Sequence, residues 1–275
     1  MKLPLLSPEL VWKLDNVHTL FDLDRLGGLA RLEGNPFRIE IQKFGRATAF
    51  TSPVINDTYY NKLLGFGAPD TEMLPLIASY VMAKAAPTLR VDLLPNEIDE
   101  TVADSLTSFG LRHVDFQAGF YGLPEIGDIP PPPGVSIQNV DSDADLDLFL
   151  ELFHGGWDME AATLPTFQKT MRYWKDLPGW HLYLACLDGV ARGIGIMFIT
   201  EEVAYMAVAA TLPDFRGRGC EKMLLHHAIR RAKELGCAII FGTCDATSPT
   251  ARNYDRMGLK LAYHKAIWKL RGGGS

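Results

Sequence analysis

The chain has 275 residues, 47% hydrophobic and 22% charged, enough for one large or two ordinary domains. A formal charge of −6 argues against a nucleic-acid protein, because phosphate backbones demand a basic face. No run of eighteen apolar residues occurs and the opening MKLPLLSPELVWKLD lacks a signal's apolar core, so neither a membrane span nor secretion is expected.

In the first half, Leu10, Val11, Leu14, Val17, Leu20 and Phe21 recur at helical spacing and predict one or two short helices over 8–24. Phe37, Ile39 and Ile41 alternate with polar residues as a half-buried strand, pairing with 47–51 in a hairpin across Gly45-Arg46. The aromatic, glycine-bearing stretch 59–67 reads as loop or strand. A helix is predicted over 73–85, a buried strand over 89–94 and a helix over 98–108. Phe109-Gly110-Leu111 then leads into an alternating strand over 113–121. Pro130 to Pro133 form a stiff, extended linker without ladder donors.

The second half opens with a strand over 135–140 and a helix over 143–154 carrying Leu146, Leu148, Phe149, Leu152 and Phe153. Gly155 to Glu160 is a turn, and 165–174 a helix with Phe167, Met171 and Trp174 on one face. Strands 181–187 and 190–200 form a hairpin around Asp188-Gly189, with Glu201-Glu202 as the next turn. After the loop described next, a helix presents Met223, Leu224, Ala228, Ile229, Ala232 and Leu235 on its apolar face, and Gly236 stops it. His226 and His227 have no companions at metal-ligand spacing and read as ordinary helix residues. A strand over 238–242, a helix starting at Ser248-Pro249 and a sheet-closing strand over 259–270 complete the pattern. Cys186, Cys220, Cys237 and Cys244 lie in apolar or helical segments, which suits a reducing cytoplasm and predicts no metal. Gly272-Gly273-Gly274-Ser275 reads as an appended linker, so 271–275 stands outside the fold.

The stretch that organises this half begins with a small apolar strand, Ala207 to Thr211, which Pro213 ends. Arg216-Gly217-Arg218-Gly219-Cys220 follows as a glycine-rich turn opening a helix. Strand, glycine loop and helix N-terminus together hold phosphate: the backbone curls around the anion and free N–H groups point at it. Arg216 and Arg218 add full charges there. Arg-Gly pairs also occur in disordered nucleic-acid-binding tails, but this one lies in an ordered, hydrophobic context. It is neither a Walker loop, lacking the Lys-Ser or Lys-Thr, nor a dinucleotide fingerprint, since position 222 is Lys.

Thr211-Leu212-Pro213-Asp214-Phe215-Arg216-Gly217-Arg218-Gly219-Cys220-Glu221, followed by Ala251-Arg252-Asn253-Tyr254-Asp255-Arg256-Met257-Gly258-Leu259, resembles the two-part signature of the GNAT superfamily of acyl-CoA-dependent N-acyltransferases. Glu221 departs from it, standing where the family has Gly or Ala. A carboxylate there opposes a bound pyrophosphate unless it turns to solvent or caps the helix. The resemblance implies an α/β (α+β) fold with a mixed, mostly antiparallel central sheet flanked by helices. Strand, helix, Phe109-Gly110-Leu111, strand echoes strand, helix, Met257-Gly258-Leu259, strand, and predicts two consecutive copies. The expected organisation is a degenerate copy at 1–129, a proline linker at 130–133 and a catalytic copy at 134–270.

The resemblance also implies a site. Ala209, Ala210 and Thr211 would pair with the pantetheine arm as an added strand, one N–H stabilising the thioester oxyanion. Arg216, Gly217, Arg218, Gly219, Cys220 and Glu221 form the loop end of the cofactor-binding set, with Ser248 and Asn253. Tyr254 would protonate the departing CoA thiolate, since a phenol's ordinary value of about 10 is within reach of a thiol's ~8.5. The amine must be neutral to attack, so a base or a water chain is needed; Glu201, Glu202, Asp158, Glu160 and His181 are the candidates. Trp157, Asp158 and Glu160 are candidate acceptor contacts. The expected activity is transfer of an acetyl group from acetyl-CoA to an amine through a ternary complex, in a cytoplasmic monomer or homodimer without metal, membrane or nucleic acid. The alternative is a non-catalytic acyl-CoA sensor or scaffold, which would bind without turnover.

Overall fold

The computed structural model describes residues 2–84, 86, 88–127, 129–157 and 159–270. Asp158 and the 271–275 linker therefore lie outside the described residues. Two compact units emerge: one built mainly from Phe120–Thr243 and Thr247–Leu261, the other from Leu6–Gly119 with Cys244–Ala246 and the chain from Ala262 on. Pro130 to Pro133 fall inside the first of these units rather than between the two.

In the N-terminal unit, α1 (Pro8–Ala30) starts on Ser7, whose hydroxyl accepts the Leu10 N–H at 3.2 Å. It outruns the predicted end at 24 because Leu26 and Leu29 continue the apolar face into the core, both fully buried. Strands β1 (Glu40–Phe44) and β2 (Ala47–Thr51) make the predicted hairpin, turning at Gly45 with φ +61°. The first strand starts later than predicted, because Asn35 and Arg38 take positive φ and the Asn35 side chain bonds both backbone groups of Ile39. Then come β3 (Lys62–Leu64), α2 (Leu74–Ala83), β4 (Arg90–Leu93), α3 (Glu100–Ser108) and β5 (Leu111–Gly122).

The C-terminal unit runs β6 (Val135–Asn139), α4 (Asp143–Gly156), α5 (Leu164–Met171), β7 (Trp180–Leu187), β8 (Val190–Thr200), β9 (Val203–Thr211), α6 (Cys220–Glu234), β10 (Ile239–Asp245) and α7 (Pro249–Arg256). Its strands lie in the order β6-β7-β8-β9-β10, antiparallel except for the parallel β9–β10 pair. Asp188 and Gly189 both take positive φ in the tight β7–β8 turn, as a two-residue hairpin of that hand requires. Phe153 packs against Phe167 and Trp174 at 5.5 and 5.2 Å, joining α4 to α5 and its continuation.

The last strand, β11 (Lys260–Leu270), corrects the expectation that it closes the sheet of its own half. Ala266 to Lys269 pair antiparallel with Leu93 to Arg90 of β4, giving the N-terminal unit the order β1-β2-β3-β4-β11-β5. Beneath it lies a charged network. The Lys265 ammonium is fully buried, 3.1 Å from Asp15, 3.0 Å from Asp92 and 3.3 Å from His18 Nδ1; the Tyr263 hydroxyl donates to Asp15 at 2.8 Å. Burial works against the Lys265 charge, but Asp15 and Asp92 outweigh it and hold the ammonium above its ordinary range.

Each unit holds a parallel pair, β3–β4 and β9–β10, and each follows its second member with a capped helix and a left-handed glycine. Asp99 caps α3 and Gly110 has φ +81°; Ser248 caps α7 and Gly258 has φ +81°. The echo seen in the sequence is thus an echo of backbone geometry. After β3, however, the loop is filled from within. A Cβ on Gly67 would stand 2.3 Å from Glu97 Oε2, and Arg46 binds that carboxylate at 3.1 Å.

No described helix is long and apolar enough to cross a membrane, and among the described residues no group of three or more His, Cys, Asp or Glu could hold a metal ion. All four cysteines are free thiols.

Candidate functional site

The parallel pairing of β9 with β10 covers only Val203–Met206 against Ile239–Gly242. On its other side β9 stays paired to β8 as far as Thr211, but Ala207 is left out of that ladder as a bulge, between Met206 facing Met197 and Val208 facing Ile196. A bulge sharpens local twist and turns the strand away from its neighbour. The two parallel strands therefore part from Ala207 on, and a cleft of about 710 Å³ opens beside Ala209, Ala210 and Thr211. The Thr211 hydroxyl oxygen is buried there without a partner.

One end of the cleft is the glycine loop. Gly217 has φ +75° and Gly219, the N-cap of α6, has φ +93°, a backbone that favours glycine at both places. Gly219 is doubly constrained, since a Cβ would meet Pro132 at 2.6 Å. The proline run thus braces the loop instead of merely spacing domains. Arg216, Lys222 and Arg256 bring cationic side chains to the lining, with Phe215, Gly217, Gly219 and Cys220. Arg216 Nε donates to the Thr211 carbonyl at 3.1 Å, tying the loop to the end of β9. Arg218 is not part of the lining; its guanidinium lies 5.7 Å from the Phe215 ring, which also carries Arg192 at 4.1 Å. The Cys220 thiol is buried, and burial pushes its pKa up, leaving it a small core residue and not a nucleophile.

The opposite wall is α7, contributing Pro249, Thr250, Asn253 and Arg256. Ser248 stands outside the lining and caps α7, accepting the Ala251 N–H at 3.2 Å. Glu221 neither turns to solvent nor caps α6: its Oε1 accepts from Thr250 Oγ1 at 2.8 Å and Asn253 Nδ2 at 3.1 Å, crossing from α6 to α7. Tyr254 is 4% exposed, its ring 5.4 Å from Phe120. Its hydroxyl lies directly over Gly242, where a Cβ would come within 2.3 Å. Gly242 is the last residue of β10 that pairs with β9, so this hydroxyl marks the point where the strands part.

Gly156 and Trp157, at the end of α4, form a third side. Trp157 stacks on Phe153 at 4.3 Å with planes 17° apart and stays 39% exposed, an aromatic face available at the mouth. The other described acid–base candidates are elsewhere. Glu201 and Glu202 occupy the turn before Val203, so the length of β9 separates them from Ala209: six residues of strand, about 20 Å. Glu160 is exposed, its carbonyl accepting from Thr163, and does not line the cleft. His181 on β7 lies in a separate hollow with Asn139, Lys175 and Arg231, and burial holds its pKa down. Among the described lining residues Glu221 is the only carboxylate.

Sequence reasoning missed Gly156, Phe215, Lys222, Pro249, Thr250 and Arg256. Helical spacing would have found two of them, because Thr250 and Arg256 stand three residues either side of Asn253, on the same face of α7.

Residues 146–259 match the profile of the acetyltransferase (GNAT) family. This half carries a GNAT domain. A comparison with curated proteins finds no match. Among solved structures, the chain is similar to a GCN5-related N-acetyltransferase from Kribbella flavida at 16% identity and a TM-score of 0.66, covering 92% of this chain and 95% of that one. It is similar to a GCN5-related N-acetyltransferase from Sphaerobacter thermophilus at 16% identity and a TM-score of 0.63, covering 85% and 84%. A tandem GNAT protein from the clavulanic acid biosynthesis pathway has 14% identity and a TM-score of 0.60, covering 98% and 97%. At such identities the likeness is one of fold, and it extends over both units: the chain carries the GNAT fold in tandem. The family profile lies over the GNAT domain alone, the half that contains the cleft.

Proposed function

We propose that the protein transfers an acetyl group from acetyl-CoA to an amine in a ternary complex, at the cleft where β9 leaves β10. The observation that carries this reading is the open strand edge at Ala209–Thr211 running into a glycine loop, a helix N-terminus and three cationic side chains. An extended, amide-bearing arm can add to the edge as a strand, and a diphosphate suits the loop. Acetyl-CoA supplies the activated thioester. The rest falls to the chain. Gly217, Gly219 and the first turn of α6 offer N–H groups, while Arg216, Lys222 and Arg256 supply charge. An N–H of the Ala209–Thr211 edge polarises the carbonyl under attack. Tyr254 holds a proton at its hydroxyl beside Gly242, where the departing sulfur needs one. Glu201, Glu202, Glu160 and His181 stand away from the cleft, so none of these described candidates takes the amine's proton, and water carries it. Trp157 offers an apolar or cation-attracting face to the acceptor.

Release of CoA thiol from acetyl-CoA across a panel of amines tests the reading directly; tight CoA binding with no turnover on any amine would replace it by a sensor. Arg216→Ala should weaken CoA by about tenfold or more, the worth of a charge-assisted hydrogen bond, and cost about 1 kcal/mol of stability through the lost bond to Thr211. Arg218→Ala, removing a charge that lies off the lining, should weaken CoA by no more than about threefold. Equal losses in a calorimetric titration would contradict this assignment of the two arginines.

The N-terminal unit is read as a degenerate copy at 1–129, with Glu97 and Arg46 filling the loop after β3. CoA should therefore bind with a stoichiometry of one. Two equivalents in the same titration would mean that the filled loop opens.

A further inference from the structure

Glu221 is the second residue of α6, half-buried and part of the cleft lining. A carboxylate at that position is favoured by the helix's free N–H groups and needs no partner from elsewhere. Here it reaches across instead. One oxygen, Oε1, takes hydrogen bonds from both Thr250 Oγ1 and Asn253 Nδ2, two side-chain donors that α7 presents to the cleft. The surroundings are otherwise those of an anion site, with Arg216, Lys222 and Arg256 on the lining and no other carboxylate among its described residues.

We propose that Glu221 is the affinity-setting residue of this cleft: a resident anion that occupies the Thr250 and Asn253 donors and opposes the phosphate-bearing end of the acyl donor. The inference rests on the acyl-CoA reading given above. Two effects combine. Like charge in the same cleft raises the free energy of a bound phosphate. Donors already held by a charged acceptor must also be released before they can serve the ligand. Affinity is then set by competition between an internal carboxylate and an external phosphate, and the cleft releases its nucleotide product readily. Glu221 lines the cleft at its loop end, whereas the Tyr254 hydroxyl lies over Gly242, which is not part of the lining, so the effect belongs to binding and not to chemistry.

The competition has a sign that a supporting strut would not have. Glu221→Gln keeps an acceptor for Thr250 and Asn253 while removing the charge; Glu221→Ala removes both. CoA itself, titrated calorimetrically into the unaltered full chain and both variants, is the ligand to use. At low salt the Gln variant should bind CoA about tenfold more tightly, the gain shrinking as salt screens the repulsion. The Ala variant should gain at least as much. With an accepted amine, KM for acetyl-CoA should fall. Unchanged or weaker CoA binding in the Gln variant, with the unaltered protein binding normally, would overturn the proposal and leave the acyl-CoA reading intact. Absence of CoA binding in all three proteins would remove that reading, and this inference with it.

Discussion

Tyr254→Phe should lower kcat by about 10²–10⁴-fold with an accepted amine, while CoA affinity stays within about twofold. The hydroxyl is proposed to act only once the thioester is breaking, so its loss falls on the transition state and spares the ground state. The ring stays in the variant. It is nearly buried against Phe120 and α7 depends on its packing, so stability should change by no more than the ~1 kcal/mol of a lost hydrogen bond. Gly242 supplies an independent handle on the same atom. Gly242→Ala would push a methyl carbon into the space 2.3 Å from the Tyr254 oxygen, displacing the hydroxyl without deleting it. That variant should also lose kcat, and combining it with Tyr254→Phe should cost much less than the product of the two. Full turnover by Tyr254→Phe would give the proton-donor role to water.

The glycine loop and its flanking elements were legible because their causes are local. A strand-ending proline, two glycines that must take positive φ and a helix start can be read within a dozen residues, and Gly217 and Gly219 do take φ +75° and +93°. The two-copy pattern was legible for the same reason: Gly110 and Gly258 stop equivalent helices with the same φ. What escaped was whatever depends on distant partners. Alternation marks β11 as a strand but cannot say that β4, about 170 residues earlier, will pair with it. Nothing near Lys265 in the sequence shows what its ammonium meets until Asp15, 250 residues away, is brought beside it. Glu201 and Glu202 are held away from Ala209 by length alone. Their turn was placed correctly, but a strand of nine residues stands between a carboxylate at its start and chemistry at its end. Glu221 was recognised as a departure, yet its destination on α7 needed the third dimension, since Thr250 and Asn253 are 29 and 32 residues on.

Lys265→Met should be the most destabilising single change in the N-terminal unit, costing about 3–5 kcal/mol, the range for removing one member of a buried ion pair. Methionine keeps most of the side chain's apolar length, so the loss is electrostatic more than steric. Asp92 would retain Arg90, which grips it at 2.8 Å, but Asp15 would keep the Tyr263 hydroxyl and lose its cation. The double change Asp15→Asn with Lys265→Met removes that stranded charge and should recover a substantial part of the stability, because the cost lies in the unpaired carboxylate and not in the missing ammonium. The pH dependence has a definite sign. Burial pushes the Asp92 carboxyl up, yet Lys265 and Arg90 outweigh it and hold the carboxyl well below the usual range. A folded value below the unfolded one, about 3.9, gives stability that is present above that pH and lost as pH falls through it. The Lys265→Met protein lacks most of this contribution at neutral pH and has less to lose. Its deficit against the unaltered chain, measured by urea unfolding, should therefore be largest near pH 7 and narrow below about pH 4. A deficit under about 1 kcal/mol at neutral pH would mean that water reaches Lys265 and that the network does not hold β11 to β4.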